Sequence, residues 1–202
     1  MISLQYIFLT MIVFFALVGY LRGWQREVIA LSGLIAAIAA LIQFGDSITR
    51  LVGALTGGAD LADPYAIRRQ QFWIQAIFLT IIAFFSYQVV ARLADQAMGG
   101  RLGERLRTGL ERRILGAVIG TINGYLLIGS LWGFLEYQIT SLGYVPLPPG
   151  EPYPFDPSVI VRPVADASAA AIAGMLPMGM FTPTVWLLLF FVSFFVVIIA
   201  LI

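Results

Sequence analysis

The chain has 202 residues, with 12 Lys plus Arg against 11 Asp plus Glu, a net charge of +1, 60% hydrophobic residues and only 11% charged ones. Ordinary globular domains are about 45–50% apolar and about 25% charged. The shift, with a mean hydropathy of +0.92, excludes a disordered chain, a nucleic-acid binder and an ordinary soluble enzyme. There is no Cys and no His, and every basic residue is Arg, which removes thiol, imidazole and lysine chemistry. No catalytic, cofactor-binding or metal-ligating residues are expected, and the chain reads as a non-enzyme.

A membrane span needs roughly 20 apolar residues. Five runs qualify: Ile2 to Tyr20, Val28 to Phe44, Phe72 to Ala91, Ile114 to Leu135 and Val185 to Ile202. They are continuously apolar rather than alternating, so each predicts a helix and not a barrel strand. The fold class is therefore an all-α integral membrane protein with five transmembrane helices and short interfacial amphipathic helices. Three regions follow: a four-helix membrane domain over 1–136, a proline-rich extracytoplasmic loop with an interfacial helix over 137–183, and a fifth transmembrane helix over 184–202.

The first run lacks a basic n-region and a cleavage site, so it reads as an uncleaved span. Arg22 and Arg26 follow it, and Arg92, Arg101, Arg105, Arg107, Arg112 and Arg113 follow the third run. The other side carries Arg50, Arg68, Arg69 and Arg162. The Arg-rich side should be cytoplasmic, which places the N-terminus outside and the C-terminus inside.

Residues 92–113 carry Leu102, Leu106 and Leu110 on one helical stripe with Arg101, Arg105 and Arg112 off it. This reads as a basic amphipathic helix on the membrane surface. Residues 144–157 hold six prolines and favour an extended linker. Val164, Ser168, Ala171, Ile172, Met175 and Leu176 share one face of a short interfacial helix. Thr182-Pro183 opens the fifth span as N-cap and first residue.

In the fourth run Gly116, Gly120 and Gly124 recur on one face, and Gly129 with Gly133 on a rotated one. Such faces let another helix approach closely. Ala30, Gly33, Ala37 and Ala40 form a small-residue stripe in the second run, and the two are natural packing partners. No ionisable residue is read deep in a span. Asn123 is the deepest polar group and predicts an interhelical hydrogen bond.

The junction Arg22-Gly23-Trp24-Gln25-Arg26-Glu27 turns the chain between the first two spans. Gly23 allows the tight turn, Arg22 and Arg26 suit lipid phosphates or a docked partner, and Glu27 suits the positive end of the second helix.

Gly19 to Glu27 (G-Y-L-R-G-W-Q-R-E), running into a second apolar span, resembles the R-G-[FW]-x-R-E junction of the colicin V production protein (CvpA) family. Arg112 to Gly124 resembles that family's D-R-L-L-G-x-x-x-G-x-x-R-G lead-in to its fourth span, with Arg112 in place of the Asp and Asn123 in place of a basic residue. The resemblance covers roughly 1–136 and leaves the fifth span as an addition to a four-span core. It implies a bacterial inner-membrane protein tied to colicin V-type toxin production or export, or to envelope maintenance. Two other readings stay open: a small accessory subunit of a larger respiratory or photosynthetic complex, suggested by the aromatic fifth span, and a channel or transporter. The expected partners are the lipid bilayer and other membrane proteins or a second copy of the chain, with no nucleic acid.

Overall fold

The computed structural model describes residues 4–55, 57, 63, 65–90, 110–140, 143–163 and 167–201. Four helices are long and apolar enough to cross a membrane: α1 (Leu4–Arg22), α2 (Trp24–Leu55), α3 (Ala66–Phe85, prolonged by a π-helical turn, Ser86–Val90) and α4 (Leu110–Glu136). A two-stranded antiparallel hairpin follows, β1 (Tyr137–Thr140) with β2 (Gly143–Pro146), pairing Tyr137 with Pro146 and Thr140 with Gly143. Two short helices, α5 (Ala167–Ala173) and α6 (Pro177–Met180), precede α7 (Pro183–Leu201). The fifth apolar run is thus helical, but its described apolar part, Pro183–Val196, is shorter than a span.

Several boundaries differ from the sequence reading. α2 continues eleven residues past Phe44 to Leu55, because beyond the apolar run the helix stays amphipathic: Asp46 and Arg50 pair across one turn at 2.7 Å on its outer side while Gly45 and Thr49 are buried. α4 is described from Leu110, so Leu110, Arg112 and Arg113 lie on the same helix as the fourth apolar run. The rest of that expected amphipathic helix, 92–109, lies outside the described residues. Part of the proline-rich stretch is strand β2, because Val145 and Tyr144 pair with β1 before the prolines cluster. α5 buries Ala169, and the turn after it buries Leu176, while Ala171 and Met175 of the expected stripe are exposed. Pro183 does open α7, and the Thr182 carbonyl accepts from the Val185 and Trp186 amides at 3.0 and 3.2 Å.

The main core joins Leu34, Ile38 and Leu41 of α2, Leu79 of α3, Leu126 and Phe134 of α4, Met178 of α6 and Trp186 of α7. A second cluster joins Phe8 of α1, Trp132 and Leu135 of α4, Tyr153, Ala169 and Leu176. Large apolar side chains point outward from the helices, among them Val13, Phe14 and Leu17 on α1, Ile77, Ile81 and Phe84 on α3, and Ile114, Val118 and Ile122 on α4. A bundle in hydrocarbon has this arrangement, since lipid solvates such groups at no cost.

Candidate functional site: buried carboxylates at the two ends of the bundle

Gly23 has φ +82°, a left-handed conformation that ends α1 and lets α2 start one residue later. This tight reversal puts Glu27, in the first turn of α2, inside the bundle, where its side chain is 0% exposed. Three groups on three other helical segments converge on it. Arg22, the last residue of α1, donates from Nη1 to Glu27 Oε1 at 2.9 Å. The Tyr87 hydroxyl, in the π-helical turn, donates to Oε2 at 3.1 Å. The Asn123 amide of α4 donates to Oε2 at 2.8 Å and to the Glu27 backbone carbonyl at 3.0 Å. A carboxylate out of water needs this many charged or polar partners.

The π-helical turn contributes more than the phenol. The Tyr87 carbonyl accepts from Arg22 Nη2 at 2.8 Å, and the Arg22 guanidinium lies 4.6 Å from the Tyr87 ring centre. Gly33 of α2 lies against this turn: a Cβ there would collide with the Ser86 side chain.

The junction residues read from the sequence therefore divide. Arg22 and Glu27 pair with one another at the end of the bundle. Gly23 forms the turn, and Arg26 lies in the first turn of α2, half-buried. The reading that no ionisable residue lies deep among the spans is corrected by Glu27. Its charge stands only just past an arginine-rich turn in sequence, but α4 extends well beyond that turn and walls it in. Asn123 makes an interhelical hydrogen bond, as expected.

The glycine faces also have definite neighbours. Gly116, Gly120 and Gly124 lie against α1: a Cβ on Gly116 would sit 3.0 Å from the Gly23 Cα, one on Gly120 3.0 Å from the Gly19 Cα, and one on Gly124 3.3 Å from the Ile12 Cα. The expected partner, the Ala30-Gly33-Ala37-Ala40 stripe of α2, is not what this face meets. α1 carries its own glycine, Gly19, at the crossing, and two backbones approach most closely where both lack a Cβ. Ala37 is fully buried in α2. Gly129 and Gly133 receive Pro177 and Met178 of α6.

The opposite end of α4 holds a second buried carboxylate, roughly 20 Å from Asn123 at about 1.5 Å per residue. Glu136 accepts from Arg162 Nε at 3.0 Å and forms an ion pair with Nη2 at 2.9 Å. It also accepts from the Tyr153 hydroxyl, which accepts in turn from Trp132 Nε1 at 2.9 Å. Arg162 Nη1 donates to the Pro148 and Glu151 carbonyls at 2.8 and 3.0 Å, and Arg68 of α3 pairs with Glu151 at 2.6 Å. Burial, and then the hydrogen bond to Glu136, push the Tyr153 phenol above its usual range. Burial does the same to Tyr144 and Tyr137. A cavity of about 230 Å³ beside this cluster is lined by Glu136, Tyr137, Arg162, Pro163, Ala170 and Ala173 among others.

Sequence reasoning singled out neither Glu136 nor Arg162 nor Tyr153 nor Tyr87. One signal was present: Arg162 is the sole Arg after Arg113, in a loop with Glu and Asp to choose from. Among the described residues no cluster of metal-ligating side chains occurs.

Four spanning-length apolar helices, outward apolar faces and paired interior charges define a multi-pass helical membrane protein. Residues 4–146 match the Colicin V production protein family, and the chain belongs to it. No curated protein and no solved structure matches the chain. The family boundary falls at the end of β2, so α1 to α4 and the hairpin are the family's region. The Arg162 loop and α5 to α7 lie beyond it.

Proposed function

We propose that this chain is a non-enzymatic protein of the bacterial inner membrane that supports colicin V-type toxin production or export, or maintenance of the envelope. Family membership supports the association with colicin V production. The observation that carries the non-catalytic part is the pairing of interior charges. Glu27 and Glu136 each hold an arginine and a tyrosine, so both carboxylates are engaged in joining segments of the chain. The topology proposed is N-terminus outside and C-terminus cytoplasmic, from the arginine bias, with α7 as the fifth crossing and α5 as an interfacial helix. Its partners are lipid and other membrane proteins or a second copy.

A second reading, a small accessory subunit of a larger membrane complex, is favoured by α7. Its Leu188, Phe191, Phe194 and Phe195 are all exposed and would suit a protein neighbour as well as lipid.

Deletion of the gene in a colicin V-producing strain, with toxin measured in the medium, tests the first reading. Loss of secreted toxin, restored by the full chain, is expected. Unchanged toxin together with unchanged envelope integrity would contradict it. Pull-down in mild detergent followed by mass spectrometry separates the second reading, which requires stoichiometric recovery of a complex.

A further inference from the structure

The surroundings of Glu27 have the composition of a receptor for a planar organic cation. The carboxylate supplies charge, the Tyr87 ring a π face, the Tyr87 carbonyl a second acceptor, and Asn123 holds the carboxylate in place. Arg22 occupies this receptor, with Nη1 2.9 Å from Glu27, Nη2 2.8 Å from the Tyr87 carbonyl and the guanidinium 4.6 Å from the ring centre. A forked hydrogen-bonding pattern combined with a cation–π contact is how proteins recognise guanidinium.

Two observations mark Arg22 as a plug in a site rather than a fixed strut. Its side chain is 20% exposed while that of Glu27 is 0% exposed, so Arg22 stands between the carboxylate and the outside. Asn123 is 0% exposed, yet its Oδ1 has no hydrogen-bond partner. A buried acceptor left unmatched costs free energy, and it would take a donor that Arg22 does not supply.

We propose that Glu27, Tyr87 and Asn123 form a binding site for a guanidinium cation, closed in this structure by the chain's own Arg22. An incoming cation displaces the Arg22 side chain towards the outside and leaves the α1–α2 turn in place. The cation is either a small free molecule or an arginine side chain of another membrane protein. This inference stands independently of the role in toxin production.

The test uses the full chain in detergent, with thermal unfolding followed by Trp fluorescence. Arg22→Ala empties the site and is expected to melt several degrees below the wild type. Titration with millimolar methylguanidinium, or with N-acetyl-leucyl-arginine amide, should raise its melting temperature saturably. Sodium chloride at equal ionic strength should not, and neither cation should act on Arg22→Ala combined with Glu27→Gln. The wild type is titrated alongside: a saturable rise there too shows that Arg22 is displaced, whereas a rise confined to Arg22→Ala shows a fixed ion pair and overturns the proposal. Action of methylguanidinium identifies a site open to small free cations, and action of the arginine peptide alone one for polypeptide arginine. Absence of a saturable rise with either probe overturns the proposal. If Arg22→Ala does not fold, the same titration on Arg22→Lys carries the same two readings, because a lysine ammonium engages Glu27 without the fork and yields to a guanidinium.

Discussion

The Asn123 amide of α4 bonds Glu27 of α2 twice, to the carboxylate at 2.8 Å and to the backbone carbonyl at 3.0 Å. One neutral side chain thus holds both the charge and the helix start that carries it. The contact ties the second spanning helix to the fourth at a level where α1 and α3 also meet, through Arg22 and Tyr87. The bundle is therefore cross-linked by polar bonds at this end, whereas its α1–α4 seam depends on close backbone approach.

That seam is tested at Gly120. A Cβ there meets the backbone of Phe15 and Gly19, neither of which can rotate away. Gly120→Leu is expected to lower thermal stability in detergent by much more than Leu126→Ile. Overpacking costs about 1–3 kcal/mol, and a volume-conserving apolar swap usually less than about 1.5. Equal melting of the two variants would contradict the α1–α4 seam.

At the other end, Arg162 neutralises Glu136 with side-chain exposures of 14% and 7%. Removing one member of a buried pair strands the other charge, at about 3–5 kcal/mol. The Asp46–Arg50 pair has Arg50 72% exposed, and surface pairs contribute about 0–1 kcal/mol. Arg162→Ala should therefore destabilise strongly and Arg50→Ala hardly at all, as read from melting temperatures. Similar losses would show that Arg162 does not hold its loop to the bundle.

The fold was legible where the signal is continuous and local. Each apolar run is helical over its described residues, and Pro183 opens α7, because length and proline position are properties of one segment. The site was legible only as a list of residue types. Arg22, Gly23, Arg26 and Glu27 stood out as a junction, but a sequence shows how far Glu27 lies from the apolar run of its own helix and not how far neighbouring helices project past it. α4 is described from Leu110 and extends beyond the α1–α2 turn, which turns a first-turn carboxylate into an interior one. α2 does pack on α4, through Asn123 and the main core, but the glycine face meets α1 instead, for a related reason. Small-residue stripes occur on both helices, and the single Gly19 that matches Gly116 and Gly120 is no stripe. Tyr87 gave no signal, since a tyrosine near a span end is ordinary and the π-helical turn that aims it depends on packing.

Alkaline pH probes the Tyr153–Glu136 contact. The ordinary phenol titrates near pH 10, and the folded state holds the Tyr153 proton more tightly than that. Above about pH 10 the unfolded chain gives up a proton that the folded chain keeps, so deprotonation favours unfolding. Stability from this group is full below about pH 10 and falls as pH rises beyond it. Tyr144 adds to the trend through its own burial. Melting temperatures from pH 7 to 11 should be flat and then decline, and Tyr153→Phe should decline less steeply. An identical slope in the two proteins would contradict the buried phenol.

The most direct test of the Glu27-centred network is a double-mutant cycle of Glu27→Gln and Asn123→Ala in the full chain, with unfolding free energies measured in detergent. Groups that share a buried hydrogen bond couple by about 0.5–3 kcal/mol. The two changes are expected to be non-additive, the double variant losing less than the sum of the single ones. Additivity within about 0.3–0.5 kcal/mol would mean that Asn123 and Glu27 act independently, and would contradict the network that joins the four helices.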